Sequence, residues 1–108
     1  MESNLEHLIE IFANMKQDGW DTKKPLKWGF FFMNANMEPL EVAFNVLKEQ
    51  HYKLESVHQA DETTFVMQVS KIEKMTPETL HARNQSFNQL ADQLHIDTYD
   101  GWDVSKPD

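Results

Sequence analysis

Cysteine is absent from this sequence, which excludes a disulfide framework and any thiolate metal cage and leaves the fold to be held by packing alone, as in a cytoplasmic compartment. Only three glycines occur, so there is no Gly-rich loop to cradle a phosphate. There is equally no G-x-S-x-G elbow and no cysteine nucleophile, which leaves isolated Ser, Asp and Glu as the raw material for catalysis. No apolar run approaches the roughly 20 residues that span a bilayer. The opening M-E-S-N-L-E carries acids where a targeting segment needs cations, so a cytoplasmic chain without membrane contact is expected. Basic residues are scarce as well: ten Lys and Arg stand against 18 Asp and Glu, for a net charge of −8. They are scattered rather than gathered on one predicted face, so neutralising a phosphate backbone would be electrostatically uphill and direct nucleic-acid binding is not expected. An acidic surface serves either plain solubility or rapid encounter with basic proteins.

What is present suffices for one core. A chain of 108 residues with 40% hydrophobic content has the size of a single domain, residues 1–108. Ser3-Asn4-Leu5-Glu6 has capping-box form, and Leu5, Leu8, Ile9, Phe12 and Met15 follow at helical spacing, predicting a first helix over about residues 3–17 that Gly19 stops. Lys27 to Asn34 is apolar on both faces and aromatic, which predicts a central strand with both faces covered. Asn36 starts a second helix with Leu40, Ala43, Phe44 and Leu47 on one stripe. Tyr52–Gln59 and Thr63–Ile72 read as a hairpin whose first strand is the edge, with an apolar alternation that shifts between Leu54 and Val57. Thr76-Pro77-Glu78 is a strong helix start. Ile96–Val104 closes the chain as a strand, before a polar tail at 105–108. After the first helix the order is βαββαβ, the plan of ferredoxin-like α+β domains, in which right-handed crossovers give strand order 4-1-3-2.

Trp28, Phe30 and Phe32 project from one face of the central strand and Phe31 and Met33 from the other. Something must therefore cover the second face: the additional N-terminal helix, a second copy in a homodimer, or another partner. None of the five histidines stands at a spacing that aims two rings at one metal, so no metal and no other cofactor is expected. Asn84-Gln85-Ser86 has the form of a glycosylation acceptor but falls inside the third helix.

One tetrapeptide occurs twice, as Asp18-Gly19-Trp20-Asp21 and as Asp100-Gly101-Trp102-Asp103. Nothing between the copies recurs, so turn chemistry explains them better than duplication: Asp-Gly favours a turn or bulge, and Trp sets a large apolar body beside it. With the last strand beside the first, the second copy is expected to face the start of the first strand, where the first copy lies. Each indole is either packed over the sheet rim or a binding anchor, and the flanking acids either cap turns or pair with guanidinium groups.

Leu90-Ala91 followed by Tyr99-Asp100-Gly101-Trp102 resembles the C-terminal signature of the regulator of ribonuclease activity B family, protein inhibitors of ribonuclease E. Asp18-Gly19 and Asp21, after an amphipathic helix and before a strand, are similar to the N-terminal pattern of that family. The chain departs from it with His51-Tyr52 where Gly-Tyr is usual and without a long acidic tail after Asp108. The resemblance implies a ferredoxin-like fold, no catalysis, and docking on an Arg-rich scaffold region of a ribonuclease. The residues expected to bind that partner are Asp18, Trp20, Asp21, Tyr99, Asp100, Trp102 and Asp103. The rival reading is a small-ligand or toxin-neutralising, immunity-type module, since such sheets host unrelated functions.

Overall fold

Leu8, Phe12 and Met15 recur at helical spacing and are buried on α1 (Leu5–Gln17) in the computed structural model, which describes residues 1–107. The helix starts one residue later than the capping-box pattern implies. Asn4, not Ser3, is the N-cap and accepts the His7 N–H at 3.1 Å. Ser3 is used elsewhere: its Oγ meets His81 Nδ1 at 2.8 Å. Ile9, which the periodicity placed on the apolar stripe, is 46% exposed.

The remaining elements are β1 (Leu26–Asn34), α2 (Met37–Glu49), β2 (Lys53–Asp61), β3 (Thr64–Glu73), α3 (Pro77–Gln93) and β4 (Thr98–Ser105). The four strands form one antiparallel sheet in the order β2-β3-β1-β4, the expected 4-1-3-2 taken from the other edge. The fold is α+β. The shifted alternation in β2 corresponds to a register shift: Leu54 opposes Val69 and Val57 opposes Met67, so the extra residue lies between them. Inserting one residue in this way keeps both apolar side chains on the helical side of the sheet, where they border the same cleft as Leu40 and Met67.

Cross-strand partners share a face, so β1 sorts the whole sheet. Trp28, Phe30 and Phe32 lie with Val69, Met67, Trp102 and Tyr99. All three helices cover this face. Phe12 of α1 stacks on Trp28 at 5.7 Å. Phe87 of α3 meets Phe30 edge-on at 5.0 Å. Leu40 of α2 borders the same cleft as Met67. Within this core Tyr52, Phe30, Phe32, Phe87 and Tyr99 make one aromatic cluster.

The second face of β1 is therefore uncovered, contrary to the expectation that both faces are packed and to the reading that puts α1 there. The reason is in α1 itself: Phe12 stacks on Trp28, Met15 is buried in the same core, and the helix lies against α3, so it widens the existing helical layer instead of adding another. Phe31 and Met33 are half-buried among their strand neighbours, and Ile72 is 57% exposed.

Candidate protein-binding surface

The first D-G-W-D ends a helix. Asp18 is the C-cap of α1 and Gly19 takes a left-handed φ of +89°. The Gly19 N–H donates to the Lys16 carbonyl at 3.2 Å and the Trp20 N–H to the Met15 carbonyl at 2.9 Å. These two bonds are a Schellman closure, in which the residue after the glycine folds an apolar side chain back onto the last turn. Trp20 does so and is half-buried against the core. Asp21 then steadies the turn, its Oδ1 accepting the Lys23 N–H at 3.1 Å while Oδ2 stands 3.9 Å from Lys24 Nζ on an exposed surface.

The second copy bends a strand. Asp103, Trp102 and Gly101 oppose Gly29, Phe30 and Phe31, and pairing resumes with Tyr99 opposite Phe32, which leaves Asp100 as the bulged residue. Gly101 has φ +111°, backbone that a side chain disfavours. The expectation of turn or bulge chemistry is met at both sites, one as a helix stop and one as a β-bulge. The last strand also lies beside the first, as expected. The second copy, however, faces the middle of β1 and not its start. What reaches the first copy is the segment after β4: Lys106 Nζ lies 5.4 Å from the centroid of the Trp20 ring.

The side chains of the second copy divide between the two faces of the sheet. Trp102 lies on the helical side, half-buried, 5.7 Å from Trp28, which extends the stack begun by Phe12 out to the β4 edge. Tyr99 is 1% exposed, and its hydroxyl donates to Asn84 Oδ1 at 2.6 Å. Asn84 donates in turn to Ser3 Oγ at 3.3 Å, so one buried chain of hydrogen bonds joins β4, α3 and the segment before α1. Burial pushes the Tyr99 phenol well above its ordinary value. Its side chain holds β4 to α3 and is not open to solvent.

Asp103 projects onto the uncovered face. Its carboxylate lies across the backbone of Gly29, where a Cβ would overlap Asp103 Oδ1 and approach Gln68 Nε2 to 3.0 Å. Asp18, Asp100 and Asp103 are exposed and form no ion pair among the described residues. Farther along this face, Glu55 accepts a 2.6 Å hydrogen bond from Ser70 and lies 3.2 Å from Lys27. The Ser70 bond, then the Lys27 contact, hold its carboxyl below the usual range.

One half-buried charge cluster had no signal in the spacing. Arg83 of α3 donates two parallel hydrogen bonds to Glu73, at 2.8 and 2.9 Å, and a further one to the Tyr52 hydroxyl. The Glu73 bond raises the Arg83 pKa, while burial pushes Tyr52 up to about 12 against the lowering influence of Arg83. This fork ties the end of β3 to α3 and to Tyr52.

The sequence matches the profile described as regulator of ribonuclease activity B, RraB, over residues 5–104. The chain belongs to the RraB family. A search of curated proteins finds no match. The RraB match runs from the first residue of α1 to the penultimate residue of β4, so the helical layer, the open sheet face and both tetrapeptides fall inside it. His51, before Tyr52, takes a φ of +72°, a conformation for which glycine is the usual residue.

Proposed function

We propose that this RraB-family chain regulates a ribonuclease by binding the enzyme, or an Arg-rich scaffold region of it, without catalysis, cofactor or RNA contact of its own. The observation that carries the reading is the β4 edge. There, Asp100 and Asp103, which form no ion pair among the described residues, flank Trp102, and the edge borders an uncovered sheet face bearing Phe31 and Met33. A basic segment laid across this edge would place guanidinium groups on the two carboxylates and its apolar parts on Phe31 and Met33. Asp18, Trp20 and Asp21 continue the surface beyond the end of β4, through Lys106. Tyr99 contributes from beneath by fixing the strand. The βαββαβ run with its antiparallel order supports a ferredoxin-like arrangement, and the acidic, cysteine-free composition suits a cytoplasmic partner.

Binding of the ribonuclease scaffold region to wild type, Asp100→Ala, Trp102→Ala and the Asp100→Ala/Asp103→Ala pair tests the surface. The pair is expected to weaken binding about ten-fold or more, about 1.4 kcal/mol. Unchanged affinity in all three variants would exclude this edge as the docking site.

A further inference from the structure

A cleft of about 500 Å³ opens between α1, the α1–β1 turn and the segment leading into α3, and none of its lining residues belongs to β4 or to the open sheet face. Its apolar lining includes Ile9, Met75 and Pro77. Its rim carries Lys16, Lys23 and Lys74, and no carboxylate lines it. That is a reversal of the local odds in a chain with 18 acids and 10 bases. The three lysines are exposed and enter no ion pair among the described residues.

Lys16, in the last turn of α1, suits the negative end of that helix. Lys74 has no such reason to be where it is, for it stands two residues before Thr76, the N-cap of α3, at the positive end of the helix dipole. Glu78 in the first turn of α3 offsets part of this field, but it does not line the cleft. Thr22 supplies the second observation. It is only 9% exposed, it forms part of the wall, and its hydroxyl makes no hydrogen bond among the described residues while not being sealed from solvent. A solvent-reachable hydroxyl on a mostly buried residue, beside three exposed lysines with no ion pair among the described residues and an apolar lining, is a set of groups suited to an anion. The cavity volume also falls in the range of small-molecule sites.

We propose that this cleft binds a small organic anion, a carboxylate or phosphate head on an apolar body. The head is held at Lys16, Lys23, Lys74 and the Thr22 hydroxyl, and the body lies on Ile9, Met75 and Pro77. Low-dielectric walls focus the field of the three lysines, so the site concentrates an anion although the molecule as a whole repels one. This site is independent of the β4 edge, and its failure leaves the docking proposal intact.

The test is an amide-resolved NMR titration of the full chain with octanoate, with adenosine monophosphate and, as the neutral control, with octanol. Octanoate or the nucleotide is expected to shift the amides of Thr22, Lys23, Met75 and Thr79 saturably, with octanol leaving them in place. The stronger of the two anions identifies the body as acyl or nucleoside. Lys23→Gln/Lys74→Gln, and separately Lys16→Gln/Lys23→Gln/Lys74→Gln, change exposed side chains only and are expected to weaken binding about ten-fold or more with unaltered amides in α2 and β2. The proposal is overturned if neither anion produces localised shifts, if octanol matches octanoate, or if both lysine variants bind as wild type does.

Discussion

Gly29 and Asp103 form a pair that neither residue explains alone. The missing side chain of Gly29 makes the space in which the Asp103 carboxylate lies, and the register that brings them together joins positions 74 apart in the chain. Gly29→Ala is expected to cost no more than about 1 kcal/mol, below the usual range for overpacking a closed core, because the atoms in the way are ends of side chains that can turn aside. The loss should be partly relieved in the Gly29→Ala/Asp103→Ala double variant, because the clash is with the carboxylate. Urea unfolding of the three variants measures this, and strictly additive losses would contradict it. A second residue-scale expectation concerns Tyr52. Its phenol keeps its proton to about pH 12 in the folded chain but ionises from the ordinary value of 10.0 when unfolded. The folded pKa is the raised one, so this contribution to stability is intact below pH 10 and is lost between there and pH 12, where only the unfolded state has released its proton. Unfolding free energy followed from about pH 9 upward should fall, and less steeply in Tyr52→Phe. A slope unchanged by that substitution would remove Tyr52 as its source.

All three helices end in the same way. Gly19, His51 and His95 take positive φ one residue past the C-cap, and the next residues, Trp20, Tyr52 and Ile96, donate back to Met15, Leu47 and Ala91 at 2.9, 3.2 and 2.9 Å. Two of the five histidines are thus helix stops in a conformation for which glycine is the usual choice. His51→Gly is expected to raise stability by up to about 1 kcal/mol. The relief of a left-handed side-chain conformation, about 1–2 kcal/mol, exceeds the added freedom of the unfolded chain, about 0.5–1 kcal/mol. A fall in the unfolding midpoint would refute it. The starts of the elements were more legible than these stops. Thr76 closes a reciprocal capping box with Thr79, and Asn36 begins α2 where expected, though its side chain makes no cap bond. The uneven alternation of β2 showed where its ladder is irregular. The histidine stops were hidden because only glycine marks positive φ strongly: His is enriched there along with Asn and Asp, but such residues remain uncommon at positive φ.

At the scale of the molecule, one layer of helices covers one face of the sheet, and no helix covers the other among the described residues. With a net charge of −8, association with a basic partner should be fast and sensitive to salt. Raising ionic strength from about 0.1 M to about 1 M shortens the Debye length from about 10 Å to about 3 Å and is expected to slow the association rate far more than it alters dissociation. Stopped-flow rates independent of salt would exclude electrostatic steering. The element order, the central strand, the edge position of the first hairpin strand and the Asp-Gly backbone roles follow from the amino-acid sequence by itself, because periodicity, capping residues and turn residues act over a few positions and leave a local trace. Which side of the sheet α1 occupies was decided only in three dimensions, since an apolar stripe specifies that a helix is buried and not against which surface. The same holds for Asp103 over Gly29, for Tyr99 turned inward to Asn84 and for three lysines gathered around one cleft: each depends on strand register and helix docking, which bring together residues with no relation along the chain.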